Sequence, residues 1–164
     1  YNTRVVRRSN ALRGWAYGRT FRYRETVSVG TSPLSPLLAA GTKLGLGALY
    51  VGLSLAPTRY LLDRILPKPG QGPDEKARRT GHFTMDLFTT TTTGARYTAR
   101  FRAKGDPGYA ATAIMLGESA LALALDRDKL PASEGGVLTP ATGIGDALVD
   151  RLRTAGVQIE VRRL

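Results

Sequence analysis

The sequence predicts an α+β domain in which a mixed, largely antiparallel sheet is covered by one long buried helix, with an apolar helical insertion. Three stretches carry that expectation. Gly105 to Asp126 reads as a single helix whose Leu, Ile, Met and Ala side chains surround its axis, interrupted between the caps only by Glu118. His82 to Thr93 and Ala95 to Lys104 are two β-rich runs that meet near Thr93 and Gly94, the pattern of a hairpin. Leu37 to Ala56 is a second apolar run, with Lys43 as its only charge.

Composition bounds the rest. At 164 residues, 42% hydrophobic and 23% charged, the chain has the makeup of one packed domain with a sizeable core. The absence of cysteine excludes disulfide scaffolds, zinc ribbons and thiol nucleophiles, and fits a reducing compartment. No signal peptide is visible, and the opening at Tyr1, in a strand-like stretch without an initiator Met, is expected of a piece cut from a longer protein. Net charge is +11, and 19 of the 24 basic residues are Arg. Such a surface suits nucleic acid, an acidic carrier protein, a phosphate-bearing cofactor, an anionic bilayer or an acidic neighbouring domain.

From Thr3 to Arg24, seven arginines are interleaved with Trp15, Tyr17, Phe21 and Tyr23, a composition shared with single-strand nucleic-acid binders. The period-two alternation over Phe21 to Val29 favours a strand with one solvated face instead. Ser32-Pro33-Leu34-Ser35-Pro36 breaks the chain before the run at Leu37, which reads as a helix. Gly41, Gly45, Ala48, Gly52 and Ala56 give that helix a small-residue face on which another helix or a flat ligand can lie. Pro57 kinks or ends it, Tyr60 to Leu66 adds an amphipathic turn or two, and Pro67 to Pro73 is a loop. Lys76, Arg78 and Arg79 close the loop with positive charge.

In the hairpin, Phe83, Met85 and Leu87 share one face, as do Tyr97, Ala99, Phe101 and Ala103, and these faces are expected to cover the long helix. Arg96, Thr98, Arg100 and Arg102 lie on the opposite face, paired with threonines and Asp86 as solvated surface. Asp106 stands where an N-cap should, Pro107 at the first helical position, and Asp126-Arg127-Asp128 returns the chain to water. The long helix is thus expected over Pro107 to Leu125, slightly short of the ~20 apolar residues a bilayer needs, and a core helix is the favoured reading. Gly136 to Pro140 reads as a short buried strand, Gly145 to Ala155 as a helix, and Val157 to Val161 as a last strand.

No constellation identifies a reaction by itself. Gly45-Leu46-Gly47 lies within an apolar helix and has Tyr50 where a dinucleotide fingerprint wants Gly; Gly143-Ile144-Gly145 has Leu148 in that place. The chain is therefore expected to hold no cofactor of its own. His82 is the only histidine, so a multi-histidine metal site and a hydrolytic triad lack their parts. Tyr109 and Thr112 lie in the first turns of the long helix, where free N–H groups and the dipole favour an anion or carbonyl. With Asp106 and His82 they form the expected substrate-binding set; packing and capping are their structural alternative, and the catalytic residues stay unassigned. Glu118, a carboxylate inside an apolar helix, calls for an arginine from elsewhere.

Several of these stretches resemble one family. Arg4 to Leu12, Leu66-Pro67-Lys68-Pro69-Gly70, Gly105-Asp106-Pro107-Gly108-Tyr109-Ala110-Ala111-Thr112-Ala113 with Gly117-Glu118, and Gly136 to Ala141 are similar to the C-terminal part of saccharopine-dehydrogenase-like oxidoreductases. The likeness is closest to the trans-acting enoyl reductases of complex-lipid biosynthesis. In that family an N-terminal Rossmann domain holds the nicotinamide cofactor, and the later domain supplies a mixed sheet, substrate contacts and subunit contacts.

The resemblance implies that residues 1–164 are one C-terminal substrate and assembly domain, with a helical insertion over about 33–66 and the Rossmann domain outside this chain. It implies an NAD(P)-dependent parent reductase acting on a lipid or acyl substrate, a homodimer, and a fragment inactive alone. The expected location is cytoplasmic, with peripheral membrane contact, and the Leu37 to Ala56 insertion suits a lipid-like substrate. The alternative from another class is a non-enzymatic basic module for an acidic carrier protein, a membrane surface or nucleic acid, the last least favoured.

Overall fold

In the computed structural model residues 1–66, 68, 70, 72–132 and 135–164 are described, and they divide into two units, Tyr1–Tyr23 with Pro73–Leu164, and Arg24–Gly72. The first unit is built on a three-stranded sheet. Strand β1 (His82–Thr90) and strand β2 (Arg96–Lys104) form the expected hairpin, with Phe83 opposite Ala103 and Met85 opposite Phe101. Gly94, at φ +83°, takes the left-handed position of the turn. Strand β3 (Gln158–Arg163) adds to β2, also antiparallel, with Ile159 opposite Phe101, giving the order β1-β2-β3. Among the described residues the sheet is wholly antiparallel, which corrects the expectation of a mixed one: Gly136 to Pro140 supplies no strand.

That stretch serves a different purpose. Thr139 caps the short helix α6 (Pro140–Gly143), exchanging hydrogen bonds with Thr142 in a capping box, and Pro140 fits the first helical position. The chain also opens on a helix, α1 (Asn2–Leu12), where a strand-like stretch was expected, and Phe21 to Val29 belongs to no regular element. Helical spacing puts Val5 over Ser9, and the buried side chains of α1 are polar, Ser9 and Asn10. A reading based on apolar periodicity misses such a face. The Asn10 amide donates to the carbonyl of Gly18 (2.9 Å) and accepts from Tyr17 N–H (2.8 Å), folding the next turn back on the helix. Ser9 Oγ lies 2.7 Å from Thr139 Oγ1, and Arg8 donates to the carbonyl of Val137 (2.7 Å), fastening α1 to α6.

Helix α4 (Glu75–Thr80), capped by Asp74 accepting from Ala77 N–H at 2.6 Å, occupies the basic stretch that closes the predicted loop, for which no element was expected. Helix α5 (Ala110–Leu125) is the long helix, starting three residues later than expected. Helix α7 (Asp146–Thr154) follows a 3-10 turn at Arg127–Lys129 and α6. Two apolar clusters hold α5 and α7 to the sheet and to α6. Ala103, Ala111, Leu152 and Val157 gather Phe83, Phe101 and Met115; Ala122, Ile144 and Ala147 gather Leu130; Leu148 joins both.

Of α5 only Ala111 and Ala122 are buried, while Leu116 and Leu125 are 71% and 67% exposed. The expectation of a helix covered on nearly every side is therefore corrected. The sheet and α7 approach α5 where its side chains are smallest and leave the opposite side open. An apolar circumference says that a helix avoids water, not how many neighbours it has.

The second unit is helical. Helix α2 (Ser35–Ser54) covers the predicted apolar run, with Pro36 in its first turn, and helix α3 (Ala56–Ile65) begins one residue before Pro57. Leu55, in extended geometry, separates them, and α3 turns back so that the Leu62 side chain lies against Gly52. No residue of either helix is buried. Among the described residues α2 is the one helix long and apolar enough to cross a bilayer by length and composition. Pro67, Pro69 and Gln71 of the predicted loop, two of them in the Leu66 to Gly70 motif, lie outside the described residues.

Candidate functional site

The four residues singled out from sequence come together at one end of the sheet. The hairpin register sets His82 opposite Lys104, and Gly105 N–H donates to the carbonyl of Gly81 (2.7 Å) while Asp106 N–H donates to that of Arg78 (3.2 Å). His82 on β1 and Asp106 after β2 thus reach the same corner, where α5 begins. Gly105 is obligatory here. Its φ is +90°, and a Cβ would stand 2.8 Å from that of Ala110.

Asp106 shapes the corner. Its carboxylate accepts from the N–H groups of Gly108 (3.1 Å), Tyr109 (2.9 Å) and Ala110 (3.2 Å), and its carbonyl from Ala111 (3.1 Å). Pro107, Gly108 and Tyr109 form a turn, and Tyr109 instead of Asp106 is the boundary residue of α5. The donors that an anionic ligand would use are engaged by Asp106 itself. Thr112 donates its hydroxyl to the carbonyl of Pro107 at 2.5 Å. Tyr109, 58% exposed, His82 and Thr112 are exposed, and Asp106 is half-buried.

A second assembly answers the question posed by Glu118. Arg151 of α7 donates to Glu118 at 3.2 Å and, through Nε, to Asp126 at the end of α5. Lys129 adds a contact to Asp126 at 3.0 Å. Arg151 first, and then Lys129, hold the Asp126 carboxyl below its ordinary value; contact with Asp126, and then with Glu118, raises Arg151. Glu118 and Asp126 are eight residues apart, two turns along one side of α5, and that spacing was the signal available for finding the partner. Arg151 was not singled out because nothing local connects α7 to α5. With its guanidinium committed to two carboxylates, the cluster locks helices together and offers no free base.

On the outer face of the sheet Arg100 meets Asp86 at 2.6 Å and Arg162 meets Glu160 at 2.8 Å, in solvent. The register also sets Arg102 opposite Thr84 and Arg96 opposite Thr90, as read from the sequence. Among the described residues no three His, Asp or Glu side chains gather as metal ligands. The two glycine pairs do not fit a dinucleotide. Gly45 and Gly47 lie within α2, and a Cβ on Gly145 would meet Pro131 at 2.9 Å, so the space beside it is already filled by the chain.

No protein-family model matches this chain, and no solved structure matches it. Curated proteins do. A Mycobacterium tuberculosis protein whose name assigns it provisionally as a trans-acting enoyl reductase is 53% identical, over 99% of this chain and 39% of its own length. Proteins named trans-acting enoyl reductase from Mycobacterium ulcerans and Mycobacterium bovis are each 52% identical, over 100% of this chain and 40% of their own. Over its whole length the chain is homologous to trans-acting enoyl reductases, and it spans about two fifths of the length of the curated relatives it matches.

Proposed function

We propose that this chain is the C-terminal substrate-binding and subunit-contact domain of a nicotinamide-dependent enoyl reductase of the saccharopine-dehydrogenase-like type, acting on a lipid or acyl substrate. The observation that carries the reading is the identity of just over half, sustained along the entire chain, with proteins bearing that name. The remaining three fifths of those relatives is the place for a cofactor domain holding NAD(P), since the glycines of this chain offer no cradle for a pyrophosphate. In this reading the fragment alone is inactive.

Substrate contact is assigned to the corner of His82, Asp106, Tyr109 and Thr112, with Tyr109 and His82 meeting the ligand and Asp106 and Thr112 holding the turn. The exposed leucines of α5, Leu116 and Leu123 on one face and Leu121 and Leu125 on another, are assigned to a second subunit or the cofactor domain, because exposed apolar surface of this kind marks interfaces. The setting is cytoplasmic, with peripheral membrane contact.

The test is an assay of the full-length protein with an enoyl thioester and reduced nicotinamide cofactor. Consumption of both is expected, with Tyr109→Phe and His82→Gln raising KM more than they lower kcat. Absence of turnover with any acyl length overturns the reading.

A further inference from the structure

We propose that Arg24–Gly72 is a re-entrant lipid-docking unit: α2 enters the hydrocarbon of an anionic bilayer, and α3 brings the chain back through the same leaflet. This takes further the peripheral membrane contact proposed above and rests on that part of the reading, not on reductase chemistry.

The first argument is the distribution of apolar surface. The twenty residues of α2 include a window of mean hydropathy 1.3 with none of its side chains buried, and Leu37, Leu38, Leu44, Leu46, Tyr50 and Val51 are exposed on several sides. A protein partner covers one stripe of a helix, whereas lipid covers every side.

Hydrocarbon also requires that polar groups be satisfied within the segment, and beyond Ser35 at the N-terminal end of α2, whose hydroxyl has no partner, the Ser and Thr hydroxyls of the two helices are. Thr42 donates to the carbonyl of Leu38 (2.9 Å) and Ser54 to that of Tyr50 (2.9 Å). At the turn between the helices the Thr58 hydroxyl lies 2.5 Å from the carbonyl of Gly52 and 3.0 Å from that of Leu55. Lys43 is the one charge in α2, and its long stem can carry the ammonium to the headgroups.

Chain connectivity decides how the unit enters. Both of its ends run into the other unit, where α1 is fastened to residues 137–139 by Arg8 and Ser9. One complete crossing would put those ends on opposite sides of the bilayer. Helix α3 cannot supply a return crossing, because it has ten residues and carries Arg59, Asp63 and Arg64. Entry and exit therefore share a side. Charge selects the lipid: Arg24, Lys43, Arg59, Arg64 and Lys68 stand against Glu25 and Asp63. The Arg64 guanidinium rests 4.5 Å over the Tyr60 ring, an aromatic and basic pairing suited to the headgroup layer.

Flotation of the full chain with vesicles of phosphatidylcholine, alone and mixed with phosphatidylglycerol, tests the proposal. Binding to the mixed vesicles is expected, weakening with salt and by about fivefold for each residue removed in Arg59→Gln and Arg64→Gln. Leu44→Gln with Leu46→Gln should abolish binding while amide protection of β2 is unchanged. Trypsin added outside should cut the bound chain at both the Arg19–Arg24 and the Lys76–Arg79 sites. Failure to bind either vesicle overturns the proposal. Protection of one flank alone overturns it in favour of a spanning helix. Self-association that the leucine substitutions abolish, with vesicle binding retained, overturns it in favour of a second copy. Vesicle binding by a full-length protein without turnover leaves this proposal standing and defeats the enzymatic reading alone.

Discussion

Helices α2 and α5 are close in composition. Each carries a single charged residue among Leu, Ala and Gly, and in each the apolar side chains surround the axis. Yet α5 is anchored in its unit through Ala111, Ala122 and the Glu118–Arg151 contact, while α2 buries nothing and meets α3 at one end. The difference lies in what the rest of the chain brings to each. Two alanines let the sheet and α7 come close to α5, and a carboxylate gives Arg151 something to hold. Helix α2 has equally small residues, but within its unit only a ten-residue neighbour. Apolar content determines that a helix leaves water; the partner is supplied by other parts of the sequence.

Substitutions can break or sharpen this comparison. The largest effect is expected at Ala122, which is fully buried. Ala122→Leu should overfill the junction with Ile144 and Ala147 and lower unfolding free energy by about 1–3 kcal/mol in a denaturant titration. The corresponding change on α2, Ala48→Leu, should stay within about 0.5 kcal/mol. Equal effects would mean that the two helices are not held differently.

Next in size is the ionic lock. Arg151→Ala strands Glu118 and leaves Asp126 with Lys129 alone, their side chains being 22% and 13% exposed, and should lower the melting temperature by several degrees. Glu118→Leu removes the demand along with the partner and should be far milder. Matching melting temperatures for the two variants would remove Glu118 from the account of how α5 is held.

A smaller effect is expected from acid. Because Arg151, and then Lys129, depress the Asp126 carboxyl in the folded chain, its contribution is complete above the unfolded carboxylate value of about 4. It is lost as pH falls through that value towards the folded one. Asp126→Asn should therefore flatten the acid limb of the stability profile and, because Asp126 also raises Lys129, soften the loss of stability at high pH. Asp86, depressed by Arg100 in the same direction, contributes to that limb too, so the single variant flattens it only in part. The smallest effect is expected for Lys43→Leu, which should leave the thermal transition in solution unmoved, since none of α2 is buried.

Elements whose periodicity reflects local geometry were legible in the sequence. The hairpin register, the small-residue helix at Ser35–Ser54, the long helix and its need for an arginine, and the closing helix and strand all follow from spacing and caps. Local pattern failed where a face is polar or a contact is distant. Helix α1 was missed because Ser9 and Asn10 are its buried side, and a strand was read at Gly136 to Pro140 where Thr139 caps a helix. The candidate corner was half legible. The capping signal at Asp106 could be read from its neighbours, whereas the approach of Gly81 to Gly105, which brings His82 there, is a tertiary event.

By itself, then, the sequence determined the hairpin, the two apolar helices, the closing helix and strand, and that Glu118 required a cation. Those properties depend on residues within a few positions of one another. Only the tertiary structure decided that Arg151 is that cation, that a third strand joins β2 antiparallel, and that half of α5 and all of α2 stay uncovered. Such outcomes depend on which distant surfaces meet, and hydrophobic attraction, being non-directional, does not specify the partner.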